Sequence, residues 1–261
     1  MRSFWDKQID RADHLAATAS GSKELLSFYA QLLQAQRKMY EYFRAQTNAL
    51  SGNLQKDLPA FKDATPHLLQ TVSSYGPTTL ATEARELLEA GEQAVDDMLL
   101  SYWVNPSDIQ FFAKAIIQPY ARWLNESSIG PAGRELARNE GQCPFCGGNP
   151  QVSFLQTKES GTESGNRDLI CATCLSAWEF RRVVCANCGE ERPDKIGYFH
   201  SPEFDHIRIE ACDSCKHYIK GVDLTRTGLA APLVDEIYAA PLDLWARERG
   251  YTKIELNLVG L

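Results

Sequence analysis

The 261-residue sequence has no long apolar run. No stretch approaches the roughly eighteen apolar residues of a membrane-spanning helix, so we expect no membrane segment. The first thirteen residues are charged and polar and do not resemble a secretory signal peptide. We therefore expect a cytoplasmic protein, in a compartment where cysteine thiols stay reduced.

The positive charge that nucleic-acid binding requires is also scarce. The net charge is −7, and residues 141–225 contain 9 basic against 12 acidic side chains. A protein that binds nucleic acid needs a stripe of lysine and arginine to neutralise phosphates. The composition therefore argues against a nucleic-acid partner, although a locally basic face near Arg181 and Arg182 stays open.

Catalytic signatures are missing as well. The sequence contains neither a recognisable Ser-His-Asp pattern nor a paired-carboxylate pattern. Near the cysteines, the candidates are Asp205-His206 and His217, which we interpret as surface groups or as donors to a metal ligand. We predict that the protein is not an enzyme and assign no catalytic or cofactor-binding residue.

What the sequence has instead is eight cysteines in four C-x-x-C pairs, with none left over. A C-x-x-C pair in a tight turn directs two thiolates at one point, and two pairs complete a tetrahedral four-sulfur site. The count predicts two metal ions, one in each four-cysteine site. The predicted ligands are Cys143, Cys146, Cys171, Cys174, Cys185, Cys188, Cys212 and Cys215.

Other uses of the cysteines fit the sequence less well. Structural disulfides require export, which the N-terminus does not indicate. Cys143-Pro-Phe-Cys146 looks like a redox dithiol, but such a motif opens a helix, whereas Gly147-Gly-Asn-Pro150 follows here. The identity of the metal stays open, because a tetrahedral four-sulfur site suits both iron and zinc.

The cysteine region is an internal repeat of about forty residues. Cys143 to Cys171 spans 28 positions and Cys185 to Cys212 spans 27, and a glycine follows the first pair of each copy. That glycine is expected to adopt the left-handed conformation that turns backbone N–H groups towards sulfur. The repeat predicts that the first two pairs share one ion and the last two pairs share the other.

The remaining segments predict an α+β protein with an N-terminal all-α domain. Apolar stripes at helical spacing predict helices from Ser22, from Thr65-Pro66, from about Thr79 to Leu99, and after Asn105. Short strands are predicted at residues 151–155, 167–170, 196–200 and 207–210, with a solvated loop at 158–166 and a strand-like tail at 253–259. The predicted domains are 1–138 (helical), 139–182 and 183–225 (one four-cysteine module each), and 226–261 (C-terminal helix and tail).

The cysteine segments together resemble one known family, the formate dehydrogenase accessory (formation) proteins, or FdhE family. The resemblance covers nearly the whole chain and is most specific around the cysteine pairs. It is carried by Cys143–Pro150, Leu169–Trp178, Arg182–Gly189, Glu210–Asp223 and Leu242–Trp245, with a weaker likeness at Leu25–Gln36.

The resemblance implies a cytoplasmic, non-catalytic factor needed for active formate dehydrogenase. It further implies two rubredoxin-like modules of the zinc-ribbon type, iron binding, and contact with the catalytic molybdenum subunit. Two other functions stay open from the residues alone: a zinc ribbon that binds nucleic acid or protein, and an iron-dependent electron-transfer protein. The oligomeric state is not predicted.

Overall fold

The computed structural model of the protein describes residues 3–19, 21–46, 49–135, 137–156 and 166–261. The chain divides into two compact units, Met1–Glu135 and Leu136–Leu261. The first unit is helical, and the second contains a sheet that carries both groups of cysteines. The predicted α+β class with an N-terminal helical region is confirmed. The predicted loop at 158–166 lies outside the described residues, apart from Asn166, which begins a strand.

Within its described residues, the first unit contains seven α-helices. They are α1 (Phe4–Thr18), α2 (Lys23–Ala45), α3 (Leu54–Asp57), α4 (Phe61–Tyr75), α5 (Thr78–Ala90), α6 (Glu92–Val104) and α7 (Phe111–Glu126). Helix α2 is central, since α1, α4 and α7 all pack against it. None of the helices in the described ranges has both the length and the apolarity that a bilayer crossing demands.

The core of the helical unit is an aromatic cluster tied to one buried carboxylate. The rings of Phe43, Phe61 and Tyr120 have centroids 4.9–5.6 Å apart, mostly edge to face. The Tyr120 hydroxyl donates to Asp57 Oδ2 at 2.6 Å, and the backbone N–H groups of Ser51 and Gly52 donate to the same carboxylate. Burial, aided by this contact, raises the pKa of Tyr120 far above its usual range.

Three helix predictions for this unit are wrong in detail. The long helix expected from Thr79 is two helices, because Gly91 has φ +81° and ends helix α5. The helix expected to begin at Thr65-Pro66 starts at Phe61, so Pro66 lies inside it. Helix α7 begins at Phe111, which leaves Ile109 outside the buried stripe and 90 % exposed.

In the part of the second unit that the structure describes, the strands form one mixed seven-stranded sheet. Its strands are β1 (Pro150–Gln156), β2 (Asn166–Cys171), β3 (Ala177–Phe180), β4 (Ile196–His200), β5 (Ile207–Cys212), β6 (His217–Asp223) and β7 (Thr252–Lys253). The order is β3-β2-β1-β6-β5-β4, and β7 pairs with β6. The four predicted strands are confirmed to within two residues at each end. Of the strand-like tail expected at 253–259, only residue 253 is in a strand.

The internal repeat is visible as two three-stranded antiparallel meanders in the same register. Ile170 pairs with Ala177 in the first meander, and Ala211 pairs with Tyr218 in the second. The meanders join through a parallel pairing of β1 with β6, in which Val152 lies opposite Lys220. The two copies are therefore arranged head to tail in one continuous sheet.

Two C-terminal helices, α8 (Pro232–Tyr238) and α9 (Ala240–Glu248), complete this unit, and α8 packs on β1 and β6. They bring two carboxylates to two lysines of the sheet in a fully buried cluster of four charges. Lys220 contacts Asp243 at 2.5 Å, and Lys253 contacts both Glu236 and Asp243. Burial, together with the neighbouring charge of Lys253, lowers the pKa of Lys220 to about 8.

Candidate metal centres

The first cluster consists of Cys143, Cys146, Cys171 and Cys174, all fully buried. Their sulfurs lie within 4.8 Å of one another, with Cys143 to Cys174 at 3.6 Å and Cys146 to Cys171 at 3.4 Å. These separations are far longer than the roughly 2.05 Å of a disulfide. Four sulfurs about 2.3 Å from a central ion would be about 3.8 Å apart, so the cluster fits a tetrahedral ion.

The second cluster consists of Cys185, Cys188, Cys212 and Cys215. Cys185 and Cys215 sulfurs are 3.7 Å apart, and those of Cys188 and Cys212 are 3.8 Å apart. These distances match a tetrahedral four-sulfur site even more closely. Here Cys188 is exposed and Cys215 is partly exposed, in contrast to the first cluster.

The structure thus brings all eight predicted ligands together in the predicted pairing. Each cluster is formed at two places in its meander: the loop that precedes the first strand, and the last residue of the second strand together with the loop that follows it. Because the repeat is in register, each cluster lies at the same place in its own copy. That the cysteines bind metal stays a prediction, supported by this geometry.

The four C-x-x-C turns share one backbone conformation. The residue after each second cysteine has a positive φ: Gly147 at 70°, Leu175 at 55°, Gly189 at 73° and Lys216 at 58°. Its N–H donates to the carbonyl of the first cysteine at 2.8–3.1 Å in all four turns. The left-handed conformation predicted for the two glycines is confirmed. Leu175 and Lys216 take the same conformation at a steric cost, and residue type gave no signal for them.

Polar groups around the first cluster lie within hydrogen-bond distance of its sulfur atoms. The Thr173 N–H donates to Cys171 Sγ at 3.3 Å, and the Ser176 hydroxyl lies 2.9 Å from Cys174 Sγ and 3.5 Å from Cys143 Sγ. Such contacts orient thiolate ligands and stabilise their charge. Sequence reasoning missed Thr173 and Ser176, because a hydroxyl residue near cysteines has no distinctive spacing.

The pKa directions within the two clusters follow from burial and from neighbouring donors. Burial raises the pKa of Cys171 and Cys174 well above the usual value. Burial also acts to raise the pKa of Cys215, but hydrogen bonds from the Asn187 side chain and the His217 N–H outweigh it and bring that pKa to about 7. Because only thiolates bind a metal ion, metal uptake by protonated thiols at these sites would release protons.

The histidines singled out in the sequence are not ligands in the structure. His206 Nε2 lies 2.8 Å from Asp235 Oδ1, and that carboxylate also accepts from the Ala231 N–H. His217 Nδ1 lies 2.8 Å from the Cys215 carbonyl oxygen. Neither ring belongs to a candidate metal group among the described residues. His217 positions the backbone beside a predicted ligand, in keeping with its interpretation as a donor.

Comparison with known proteins gives matches in sequence and in fold. Family models described as "FdhE, central domain" and "FdhE, C-terminal domain" match residues 142–182 and 183–259. A protein FdhE homolog of Aquifex aeolicus is 34 % identical over 196 residues, which cover 74 % of this chain and 68 % of that protein. Protein FdhE of Escherichia coli is 28 % identical over 188 residues, which cover 70 % of this chain and 59 % of that protein.

The fold likeness extends over the whole chain. The crystal structure of the FdhE protein from Pseudomonas aeruginosa superposes with a TM-score of 0.73 at 20 % identity, covering 99 % of this chain and 96 % of that one. This superposition supports the arrangement of a helical region and a sheet region. With the cysteine pattern and the match to the Aquifex aeolicus protein, it leads to one assignment: the chain belongs to the FdhE family.

Proposed function

We propose that this protein is a cytoplasmic accessory factor for formate dehydrogenase, which binds two metal ions and contacts the catalytic molybdenum subunit during its maturation. The observation that carries the proposal is the pair of complete four-cysteine clusters in a member of the FdhE family. The family's link to formate dehydrogenase supplies the partner, and the clusters supply the chemistry.

The composition of the clusters favours a binding role over a catalytic one. An ion in either site would have four sulfur ligands and no open position for water or substrate. Zinc bound there would act as a cross-link, and iron would add one-electron chemistry. The cysteines therefore hold loops of the sheet unit in place, and the protein is proposed to be no enzyme.

Metal binding at the clusters would also stabilise the folded sheet unit. The two cysteine loops of each meander meet through their sulfurs and a few backbone hydrogen bonds, such as Ala172 N–H to the Asn149 carbonyl at 3.0 Å. Binding energy at such a site is folding energy, because the site does not exist in the unfolded chain. A rigid surface built in this way can hold a partner that is itself incompletely folded.

The test uses a bacterium with its own formate dehydrogenase, from which the FdhE-family gene has been deleted. Tagged full-length chain should restore formate-dependent dye reduction and should co-purify with the catalytic subunit. The Cys171→Ser and Cys212→Ser variants should restore less activity, whereas Arg226→Met, an exposed change in the same unit, should behave as wild type. Absence of the catalytic subunit from the purified complex would overturn the proposed partner.

The metal is tested separately on protein purified without oxygen. Elemental analysis should find two equivalents of iron, zinc or both per chain, one for each cluster. A reversible reddish absorbance would identify iron and support electron transfer, while colourless, stable metal would identify zinc. Protein that binds no metal when purified in this way would contradict the assignment of the cysteines as ligands.

A further inference from the structure

The two clusters are built from equivalent residues but differ in their access to solvent. Cys146 and Cys188 occupy the same position in the two repeats, yet Cys146 is 1 % exposed and Cys188 is an exposed residue. Cys174 and Cys215 form a second such pair, with Cys174 fully buried and Cys215 partly exposed. The difference is therefore a property of the surroundings, not of the ligand set.

One cause lies two residues after the second cysteine of each repeat. Gly148 and Glu190 occupy the same backbone position, since their carbonyls accept from the N–H of Cys143 and Cys185 at 2.8 and 2.9 Å. A Cβ on Gly148 would lie 2.8 Å from Cys171 Sγ and 3.4 Å from Cys146 Sγ, so the chain packs directly against these sulfurs.

At the second cluster, Glu190 points away into a surface network instead. Its Oε2 accepts from the Ser214 hydroxyl at 2.5 Å and from Arg192 Nη2 at 2.8 Å. Ser214 is the counterpart of Thr173, whose N–H donates to a sulfur of the first cluster. Gly148, which packs against the sulfurs of the first cluster, is thus replaced at the second by Glu190, whose side chain pairs with Ser214 and Arg192.

A cavity of about 300 Å³ borders the second cluster directly. Its lining includes Cys185 and Cys188, with Asn187, Phe180, Arg181 and Asn139 around them. The volume is at the lower end of the range that small-molecule sites occupy. A small molecule with a sulfur or nitrogen donor can therefore approach Cys188 from this side, while the four cysteines of the first cluster do not line this cavity.

We propose that the second cluster is the exchangeable centre of this protein and that the first is a permanent one. In an exchange, Cys188 gives up its bond to the ion and keeps both electrons of that bond, while a donor atom from a molecule in the cavity forms the replacement bond. Solvent then protonates the free Cys188 sulfur. The step is a ligand substitution without net oxidation, and it rests on the proposed metal binding.

The test is the rate of metal loss from full-length protein loaded with zinc, in excess 4-(2-pyridylazo)resorcinol. Two phases of about one equivalent each are expected, with the fast phase at least roughly tenfold faster, because an exposed thiolate is open to attack and a buried one is not. Cys188→Ser should abolish or accelerate mainly the fast phase. Cys146→Ser, the matched change in the other repeat, should affect mainly the slow phase. A single phase, or a fast phase that responds more to Cys146→Ser than to Cys188→Ser, would overturn the proposal.

A measurement on the wild-type protein covers the case in which a variant fails to fold. Brief iodoacetamide treatment joins the reagent's carbon to a thiolate sulfur with loss of iodide, and peptide mass spectrometry locates the labelled cysteine. Label is expected first on Cys188 and Cys215, and uniform labelling of both clusters contradicts the inference. The proposed metal binding fails in a different way, since the protein would then contain no zinc at the outset.

Discussion

Arg167 and Glu210 form a buried ion pair that links the two repeats across the join in the sheet. Arg167 lies on β2 and Glu210 on β5, with β1 and β6 between them. Gly221 on β6 leaves room for the pair, because a Cβ there would lie 2.5 Å from Glu210 Oε1. The Arg167 guanidinium also donates to the carbonyl of Val184 at 3.0 Å, in the segment that connects the copies.

Replacing Arg167 by Met should destabilise the sheet unit by about 3 kcal/mol, because it leaves a buried carboxylate with one partner fewer. Glu210 would keep its contacts with Arg208 at 2.7–3.0 Å, which limits the loss. Metal release in increasing urea measures the effect on this unit. Arg181→Met is the control, since its ion pairs are exposed and should contribute less than about 1 kcal/mol. Superimposable release curves for the two variants would argue against a structural role for the pair.

Adding one methyl group at Gly148 should loosen the first cluster more than the second. The new Cβ would lie 2.8 Å from Cys171 Sγ and 2.9 Å from Thr173 Oγ1, so the loop must move away from the sulfurs. The Gly148→Ala protein is expected to lose one of its two metal equivalents, or to release it faster than the wild-type protein does. Elemental analysis after dialysis measures the metal that remains. Gly228→Ala serves as the matched control, because nothing lies within 4 Å of its Cβ position. Two equivalents held equally well by both proteins would show that the contact is not tight.

Loss of a metal ligand should weaken metal binding more than Arg167→Met or Gly148→Ala does. Cys171→Ser removes one of four sulfurs from a cluster whose loops have little other support, so we expect one metal equivalent to be lost. Limited proteolysis should then cut near residues 143–180, while the helical unit resists because its core is its own. If the variant retains two equivalents, Cys171 is not a ligand.

The turn between α5 and α6 should require glycine. Gly91 has φ +81° and ψ −176°, a region that side chains with a Cβ avoid, so Gly91→Ala should cost about 1–3 kcal/mol although the site is open. Thermal unfolding of the helical unit, followed by circular dichroism, measures the loss. Gly130→Ala, equally open and without a positive φ, should change little. Equal melting curves for the two variants would mean that the turn between α5 and α6 does not require glycine at position 91.

The buried lysine cluster should give the sheet unit an unusual response to alkali. The pKa of Lys220 is lowered to about 8 by burial and then by Lys253, so the unfolded chain holds this proton more tightly than the folded one. Stability from this group should therefore rise between about pH 8 and 10.5, where folding favours the neutral amine. Comparing urea unfolding of wild-type protein and Lys220→Met across this range isolates the contribution. A stability difference that does not change with pH would contradict the lowered pKa.

Features of this fold that local sequence determines could be predicted, whereas features that depend on contacts between distant segments could not. Gly147 and Gly189 were predictable because a C-x-x-C turn needs a left-handed residue and glycine supplies it without strain. Leu175 and Lys216 were not, because residues of these types disfavour the left-handed conformation that they adopt here. Helix α1 escaped prediction although Ser3 and Asp6 form its capping box, since the polar composition of its sequence masked the buried side of the helix.

The join between the copies could not be predicted at all. The repeat predicts which cysteines share an ion, because that pairing is set within each copy of about forty residues. The parallel contact of β1 with β6 depends on strands about seventy residues apart, and no local pattern encodes it. The same applies to Lys220, whose acidic partners come from helices that follow it in the chain.

The parallel β1–β6 join has a thermodynamic consequence for the two ions. Each cluster holds the loops of one meander, and each meander supplies one of the two strands that meet at the join. An ion bound in either cluster, as proposed, would thus stabilise the pairing of β1 with β6, on which the other copy also depends. By linkage, the factor by which the first ion tightens binding of the second must equal the factor by which the second tightens the first. The permanent ion would then set the affinity of the exchangeable one without touching it.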